Sequence, residues 1–261
     1  MKAFIRWIIF LSVLIILPVT FALTQDEQPV AIAHKVLDSI QIDAILDEWD
    51  RSDPIYLNEK SQVIRDVQAW EGPQDLSCSI YLMWDNKNLY LAVEATEDTP
   101  YGAIEMLPMD GQDNFKLYLS TNPTLDPQRT EYATNDFLVY LIIDNLYWDT
   151  AFDRSMVPKE ARRRFVSKGM NGGQNVLDGY SVASIEVENG FIFEASIPWK
   201  CFSNEEIPVY TPAVGDVVNF NFAITDISYP CPGTQYVPQM AWTGDVGINT
   251  NPSLWGRLLF Q

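Results

Sequence analysis

The sequence predicts an all-β protein, a two-sheet antiparallel β-sandwich of jelly-roll-like type. Three observations lead to this prediction. Segments in which apolar and polar residues alternate dominate the chain, clusters of Asn, Asp, Gly and Pro separate them, and strands do not alternate with long amphipathic helices. Many short strands with frequent turns and no βαβ rhythm are typical of sandwiches.

Seven segments carry the strand pattern, and two pairs of them are joined by short turns. The turn around residues 86–88 is polar, and Asn189-Gly190 is a strong hairpin signal. We expect the first hairpin to be central in its sheet, because both of its faces contain apolar residues. Tyr81, Met83, Tyr90 and Ala92 should share one face, with Ile80, Leu82, Leu89 and Leu91 on the other. The seven segments are residues 77–85, 88–98, 113–121, 136–144, 179–190, 191–199 and 217–227.

The chain divides into three parts. Residues 1–22 have the features of a secretory signal peptide: two basic residues precede an apolar run, and small residues mark a cleavage site after Ala22. The alternative is an uncleaved membrane anchor, but the run is near the lower length limit for spanning and contains Pro18. We therefore predict a secreted or periplasmic protein with no membrane segment after cleavage. Residues 23–35 are expected to form a flexible leader and residues 36–261 one sandwich, with 144–180 as its longest loop.

Charge and cysteine content limit the partners of the protein. The formal net charge is −18, from 17 basic and 35 acidic residues. A field of this sign repels nucleic acids and anionic membranes, and it suits neutral ligands or cations. Cys78 lies in a predicted strand and should be a buried thiol, whereas Cys201 and Cys231 lie at loop edges and can pair if the fold brings them together.

Catalysis is not expected. The one histidine, His34, lies near the N-terminus, which argues against a Ser-His-Asp or Cys-His arrangement. Carboxylates are plentiful, but glycoside hydrolysis requires two of them at a defined separation in a cleft, and no acid lies in a recognisable glycosidase motif. We predict a binding protein rather than an enzyme.

The segment IQIDAILDEWDR, residues 40–51, places a tryptophan among acids. Leu46 and Trp49 are three residues apart, so one helical turn would bring both against the sandwich, with Asp47 and Glu48 near the positive end of that turn. Trp49 is therefore interpreted as a core residue. The alternative is that the acids of this segment join a calcium site, which requires six to eight clustered oxygen ligands.

The order of the segments resembles a known family. IQIDAILDEW is followed by WEGPQDLSCSIYLMWDNKNLYLAVEATED, DNFKLYLST and FIFEASIPW, and the chain closes with GDVVNFNFAITDI, AWTG and NPSLWGRLLF. This series resembles the family 9 carbohydrate-binding modules and the broader DOMON-like sandwich group. The resemblance covers roughly residues 36–261 and implies a carbohydrate ligand and a structural calcium ion. Candidate calcium ligands are Asp43, Asp47, Glu97, Asp98 and Asp226.

A sugar site is expected where loops 99–112 and 240–252 meet. The resemblance implies a sugar-stacking aromatic in the first of these loops, which here contains no tryptophan and offers Tyr101 instead. The second loop offers Trp242 with Asp245 and Asn249, which match the aromatic faces and polar side chains that bind sugars. Trp242 is alternatively a packing residue, whereas Trp199 and Trp255 are predicted to be buried.

Two other functions stay open from the sequence. DOMON-like domains also bind haem, for which the available donors are Met83, Met106, Met109, Lys200 and Met240. A Soret band in the purified protein would identify that function. The other alternative is a structural or interaction domain of the envelope with no small ligand, which the missing loop tryptophan favours.

Overall fold

The fold is a sandwich of two β-sheets. A computed structural model of the chain describes residues 28–98, 113–142, 165–169, 174–176, 179–203, 207–226 and 236–261. These residues contain fourteen strands: β1 (Val30–Lys35), β2 (Ile55–Leu57), β3 (Val63–Arg65), β4 (Leu76–Trp84), β5 (Asn88–Glu97), β6 (Asn114–Ser120), β7 (Asp136–Ile142), β8 (Phe165–Gly169), β9 (Gln174–Val176), β10 (Ser181–Val187), β11 (Gly190–Pro198), β12 (Val217–Thr225), β13 (Gln239–Ala241) and β14 (Gly256–Phe260).

Each sheet has a simple strand order. The first sheet runs β10-β11-β5-β4, with β2 on the outer edge of β4. The second runs β14-β12-β6-β7-β8-β9, with β13 beside β12 and β3 beside β13. In the parts of the chain that the structure describes, no helix is long and apolar enough to cross a bilayer. The two sheets confirm the two-sheet sandwich that the sequence predicts.

Both predicted hairpins are present. β4 pairs with β5 through the turn at 85–88, and β10 pairs with β11 through a turn at residues 188–189, so that Gly190 begins β11 opposite Val187. The β4–β5 hairpin is central, since β5 also pairs with β11, and β4 also pairs with β1 and β2. Its two faces divide as predicted: Ile80, Leu82, Leu89 and Leu91 lie in the main core, and Tyr81, Met83, Tyr90 and Ala92 form a second cluster on the outer face.

Strand β1 corrects two predictions made from the sequence. Residues 30–35 are a strand rather than part of a flexible leader, and this strand joins both sheets. Val30–Ala33 pair with Arg257–Phe260, while His34 and Lys35 pair with Met83 and Trp84. Both pairings are parallel, so the sandwich is not antiparallel throughout. Ala31 and Ala33 are the buried residues of β1, and such small side chains give only a weak strand signal.

One smaller prediction also changes. The interval 144–180 contains β8 and β9, so it is not one long loop. The segment 45–51 forms the expected single turn, in which the Trp49 amide donates to the Leu46 carbonyl at 3.3 Å. A 3-10 helix follows β11 at Trp199–Phe202. Residues 1–27 lie outside the described residues, so the signal peptide stays a prediction.

Aromatic side chains hold the two sheets together. Phe115 of the second sheet contacts Phe193 and Phe191 of the first, with ring centroids 5.1 and 6.0 Å apart. Such tilted pairs add to the free energy gained from burying the rings. Trp199 and Trp255 are buried, as predicted, and their indole N–H groups donate to the carbonyls of Asp85 and Ile248.

A buried carboxylate explains the tryptophan among acids. Residues 36–50 cross the outer face of the first sheet, where Leu46 and Trp49 pack on the Tyr81–Met83 cluster. Glu194 of β11 is fully buried there and accepts from the Trp49 indole (2.5 Å) and from the amides of Asp43 (2.8 Å) and Ala44 (2.5 Å). Trp49 is therefore a packing residue, and Glu194 is the acid that fixes it.

Candidate functional site

An open groove lies where β1 passes β2 at the edge of the sandwich. Its volume is about 500 Å³. Two aromatic side chains, Tyr56 and Trp242, share its lining with backbone and side-chain polar groups. A groove with aromatic faces and a few polar groups is the usual form of a small-ligand site. The described lining residues are Pro29, Val30, Ala31, Ile32, Asp53, Pro54, Ile55, Tyr56, Gln62 and Trp242.

Trp242 is both a packing residue and a wall of the groove. It follows β13, and its amide donates to the Phe222 carbonyl at 2.9 Å. The indole packs 6.0 Å from the Phe220 ring and lies over Gly256, where the absence of a side chain leaves room for it. The ring is only partly buried, so the rest of its surface faces the groove. Truncating Trp242 would therefore reduce stability as well as any binding at the groove.

Tyr56 supplies the second aromatic surface. It is the central residue of β2, between the buried Ile55 and Leu57, so strand alternation directs it outward and leaves it 55% exposed. The Gln62 side-chain amide donates to the Tyr56 carbonyl at 2.8 Å and accepts from the Asn58 and Glu59 amides at 2.9 and 3.0 Å. These bonds fix the turn that follows β2. The backbone that carries the ring is therefore well held.

The backbone of β1 adds polar groups to the groove. On the side of β14, the carbonyls of Pro29 and Ala33 accept from Arg257 and Gln261. In a parallel ladder alternate residues bond to opposite neighbours, so the N–H and C=O groups of Val30 and Ile32 point to the other edge. That edge lies along the groove. Hydrogen-bond donors and acceptors thus run between the two aromatic surfaces.

Asp53 is the one carboxylate among the described residues of the groove lining, and it is already paired. His34 Nε2 lies 2.9 Å from Asp53 Oδ2, and His34 Nδ1 lies 3.6 Å from Asp50 Oδ2. Ser52 completes the cluster, since its hydroxyl donates to Asp50 at 2.7 Å. Hydrogen bonds from the Ser52 hydroxyl and amide are the main reason that the pKa of Asp50 is lowered, and the charge of His34 adds to them.

The residues predicted for sugar binding are only partly together. Asp245 and Asn249 are absent from the described lining of the groove that contains Trp242. The Asp245 carboxylate accepts from the Gly247 amide at 2.7 Å, and the Asn249 side-chain oxygen accepts from the Tyr118 hydroxyl at 2.9 Å. Both side chains hold the 3-10 turn at Val246–Asn249. Tyr101 lies outside the described residues.

The residues predicted for calcium are dispersed. Asp43 and Asp47 are exposed, and the Asp43 amide donates to Glu194, whereas Asp226 is buried at the end of β12 in the other sheet. Glu97 and Asp98 line a separate cavity of about 400 Å³ with Glu186 and Glu188. Within the described ranges, no group of three or more His, Cys, Asp or Glu side chains is placed to hold a metal ion. Calcium binding therefore stays a prediction.

The candidate haem ligands lie in separate parts of the sandwich. Met83 packs in the outer cluster of the first sheet and accepts from the Asp50 amide at 3.3 Å, whereas Met240 is buried in the main core. Lys200 approaches Gly179 at the sandwich edge. Met106 and Met109 lie outside the described residues, as does Cys231, so the disulfide with Cys201 stays a prediction. Cys78 is buried, as expected, and burial raises the pKa of its thiol.

Comparison with known families extends over most of the chain. Residues 49–261 match the family described as carbohydrate family 9 binding domain-like. The chain belongs to this family. The matched region includes Asp53, Tyr56 and Trp242, so most of the groove lies within the family 9 domain.

Solved structures of family 9 modules share its fold. A family 9 carbohydrate-binding module from Caldicellulosiruptor kristjanssonii in complex with cellotriose has a TM-score of 0.55 at 16% identity, over 89% of this chain and 94% of that one. A family 9 module from the same organism in complex with glucose has a TM-score of 0.53 at 16% identity, over 88% and 95%. Identities this low show the fold alone. Among proteins of curated function, none matches the chain.

Sequence reasoning found one side of the groove and missed the other. Trp242 was identified because it stands in a polar loop near the end of the chain. Tyr56, Asp53 and His34 were missed, since β2 has only three residues and β1 was assigned to a leader. The available signal was the order Ile55-Tyr56-Leu57, in which alternation exposes one aromatic between two buried aliphatic residues.

Proposed function

We propose that the protein is a non-catalytic carbohydrate-binding module that holds a poly- or oligosaccharide in the groove between β1, β2 and Trp242. The observation that carries this proposal is the pairing of two aromatic surfaces with the backbone of β1 in one groove of a family 9 domain. The family 9 modules with the same fold were solved with cellotriose and with glucose, which supports a glycan ligand here.

The chemistry of the groove suits a sugar. A pyranose ring has apolar C–H faces, which pack on aromatic rings, and a rim of hydroxyls, which need hydrogen-bond partners. Tyr56 and Trp242 offer the first kind of surface, and the backbone groups of Val30 and Ile32 offer the second. The groove is shallow and open, so we expect dissociation constants on the order of 0.1–1 mM.

The groove favours binding over hydrolysis. Glycosidases use two carboxyl groups separated by about 5–5.5 Å or about 6.5–9.5 Å across the scissile bond. The described lining of the groove contains one carboxylate, Asp53, and that carboxylate is paired with His34. With its predicted signal peptide, the protein would act on glycans outside the cytoplasm, as a secreted or periplasmic module.

Replacing Tyr56 with alanine tests the function with little effect on folding. The ring is mostly exposed, so the melting temperature should stay nearly constant. Loss of one stacking surface should weaken cellotriose binding about tenfold, measured by isothermal titration calorimetry or affinity electrophoresis. Tyr236→Ala is the matched control, because Tyr236 is also exposed and does not line the groove. Equal affinities for wild type and Tyr56→Ala would exclude the groove, and failure of the wild type to bind any neutral or charged glycan would exclude the function.

A further inference from the structure

We propose that His34 determines the charge specificity of the groove: it pairs with Asp53 and so weakens the binding of cationic amino sugars. This inference rests on the proposed function, since it concerns which glycans the groove selects. The residue acts through Asp53 and does not itself line the groove. Nothing in the sequence pattern of β1 indicates this role.

The charge of the groove depends on one residue pair. Among the described lining residues, Asp53 is the single acidic side chain and no basic side chain is present. An unpaired carboxylate in this position would attract an ammonium group, and the chain as a whole is strongly acidic. In the structure this carboxylate is paired, because His34 Nε2 lies 2.9 Å from Asp53 Oδ2. The groove therefore presents aromatic and neutral polar surfaces to a ligand.

The position of the imidazole is fixed from both sides. Nε2 lies within hydrogen-bond distance of the Asp53 carboxylate, at 2.9 Å, and Nδ1 faces the Asp50 carboxylate at 3.6 Å. The His34 side chain is only 16% exposed, between β1 and the 50–53 segment. The neighbouring basic groups point elsewhere: Lys35 lies over the Trp84 ring at 5.1 Å, and Arg51 pairs with Glu94 at 3.5 Å. Among these basic side chains, His34 is thus the one that pairs with Asp53.

The consequence for ligand choice is electrostatic. A neutral hydroxyl can approach the Asp53–His34 pair without a net charge interaction. An ammonium group at the same place competes with the His34 imidazole for the Asp53 carboxylate, so its attraction to Asp53 is reduced. Without the imidazole, the carboxylate would be available to the ammonium group. An exposed pair of this kind changes affinity by up to about fivefold.

The test compares two trisaccharides of the same linkage at pH 5.5. Cellotriose carries hydroxyls only, whereas the β-1,4-linked glucosamine trimer carries an ammonium group at C2 of each ring. The acidic pH keeps the amines of the glucosamine trimer protonated. Affinities for both are measured by calorimetry on wild type, His34→Gln, the double variant His34→Gln/Asp53→Asn, and Lys35→Gln. Thermal melting of each variant checks that it is folded.

The expected pattern is specific to this role. Wild type should prefer cellotriose, and His34→Gln should gain about three- to fivefold in affinity for the glucosamine trimer. The double variant should lose that gain, because its groove has no carboxylate. Lys35→Gln removes a neighbouring positive charge without freeing Asp53, so it should show no gain.

Each contrary result has a defined meaning. If wild type binds cellotriose and His34→Gln gains nothing for the amino sugar, His34 does not set specificity, although the proposed function stands. A gain that persists in the double variant, or appears equally in Lys35→Gln, would also overturn the role, because a general charge effect then explains it. Absence of binding to both trisaccharides by folded wild type would overturn the proposed function and the specificity role together.

Discussion

Replacing Glu194 with alanine should lower the free energy of unfolding by about 3 kcal/mol, because it leaves buried donors without an acceptor. The carboxylate accepts from the Trp49 indole and from two backbone amides, those of Asp43 and Ala44. These contacts help to hold segment 36–50 on the outer face of the first sheet. Urea denaturation at pH 7 measures the change, and hydrogen exchange at the amides of residues 43 and 44 should become faster.

Two further variants separate the contact from a general effect of removing charge. Glu186→Ala removes an exposed acid from β10, so its effect should stay within about 0.5 kcal/mol. Glu194→Gln keeps the shape of the side chain, but its NH2 group faces the donors. We therefore expect its loss of unfolding free energy to lie between those of Glu194→Ala and Glu186→Ala. A Glu194→Ala protein as stable as Glu186→Ala would show that water replaces the lost acceptor at no cost.

The pH dependence of stability should also identify Glu194. Burial raises the pKa of its carboxyl group, against the opposing effect of the three hydrogen bonds that it accepts. Because the folded-state pKa lies above that of the unfolded chain, the contribution of Glu194 to stability is greatest below the unfolded value. It decreases as the pH rises through the raised folded-state pKa. The Glu194→Gln variant should lack this decrease.

Gly256→Ala should disrupt both stability and the groove. A Cβ atom at this position would lie 2.4 Å from Trp242 Cζ3 and 2.9 Å from the Pro29 carbonyl oxygen. Real Cβ atoms do not approach so closely, so the indole must leave its place over β14. We expect a loss of about 1–3 kcal/mol from overpacking. Cellotriose affinity should fall at least about tenfold, because a wall of the groove moves.

A second substitution tests whether the clash with the indole is responsible. Cζ3 and Cη2 belong to the six-membered ring of the Trp242 indole. Phenylalanine at position 242 has a smaller side chain than the indole and should leave more room for the new methyl group. The double variant Gly256→Ala/Trp242→Phe should therefore recover part of the stability, as a double-mutant cycle in denaturant would show. Additive losses would mean that the contact with Pro29, rather than the indole, causes the effect.

The sequence was informative where neighbours in space are also neighbours along the chain. The β4–β5 and β10–β11 hairpins, and the faces of Tyr81 and Ile80, followed from alternation and from turn residues. Alternation specifies which side of a strand is buried, and a short turn specifies its partner. Neither kind of information identifies a partner far along the chain, which is why the parallel pairings of β1 were not predicted.

The candidate site was only partly predictable, because its residues lie far apart along the chain. Trp242 is conspicuous in a polar loop, but the other aromatic residue of the groove lining, Tyr56, comes from a strand almost two hundred positions earlier. The Asp53–His34 pair likewise depends on β1 crossing the 50–53 segment, which becomes visible only once β1 is placed between two sheets. Glu194 reaches Trp49 across 145 positions, so the acids next to that tryptophan in sequence were the wrong ones to consider.

The double pairing of β1 has a consequence for the order of folding. Strands β4 and β5 form a hairpin that can associate while the chain is still short, and His34–Lys35 can add to β4 soon afterwards. Val30–Ala33 must wait for Arg257–Phe260, the last strand described, before that half of β1 has a partner. Closing so long a loop is slow relative to forming a hairpin, so this step should limit the folding rate. During that delay the waiting strand is an open edge, which makes it the place where a ribosome-bound chain is most exposed to incorrect pairing.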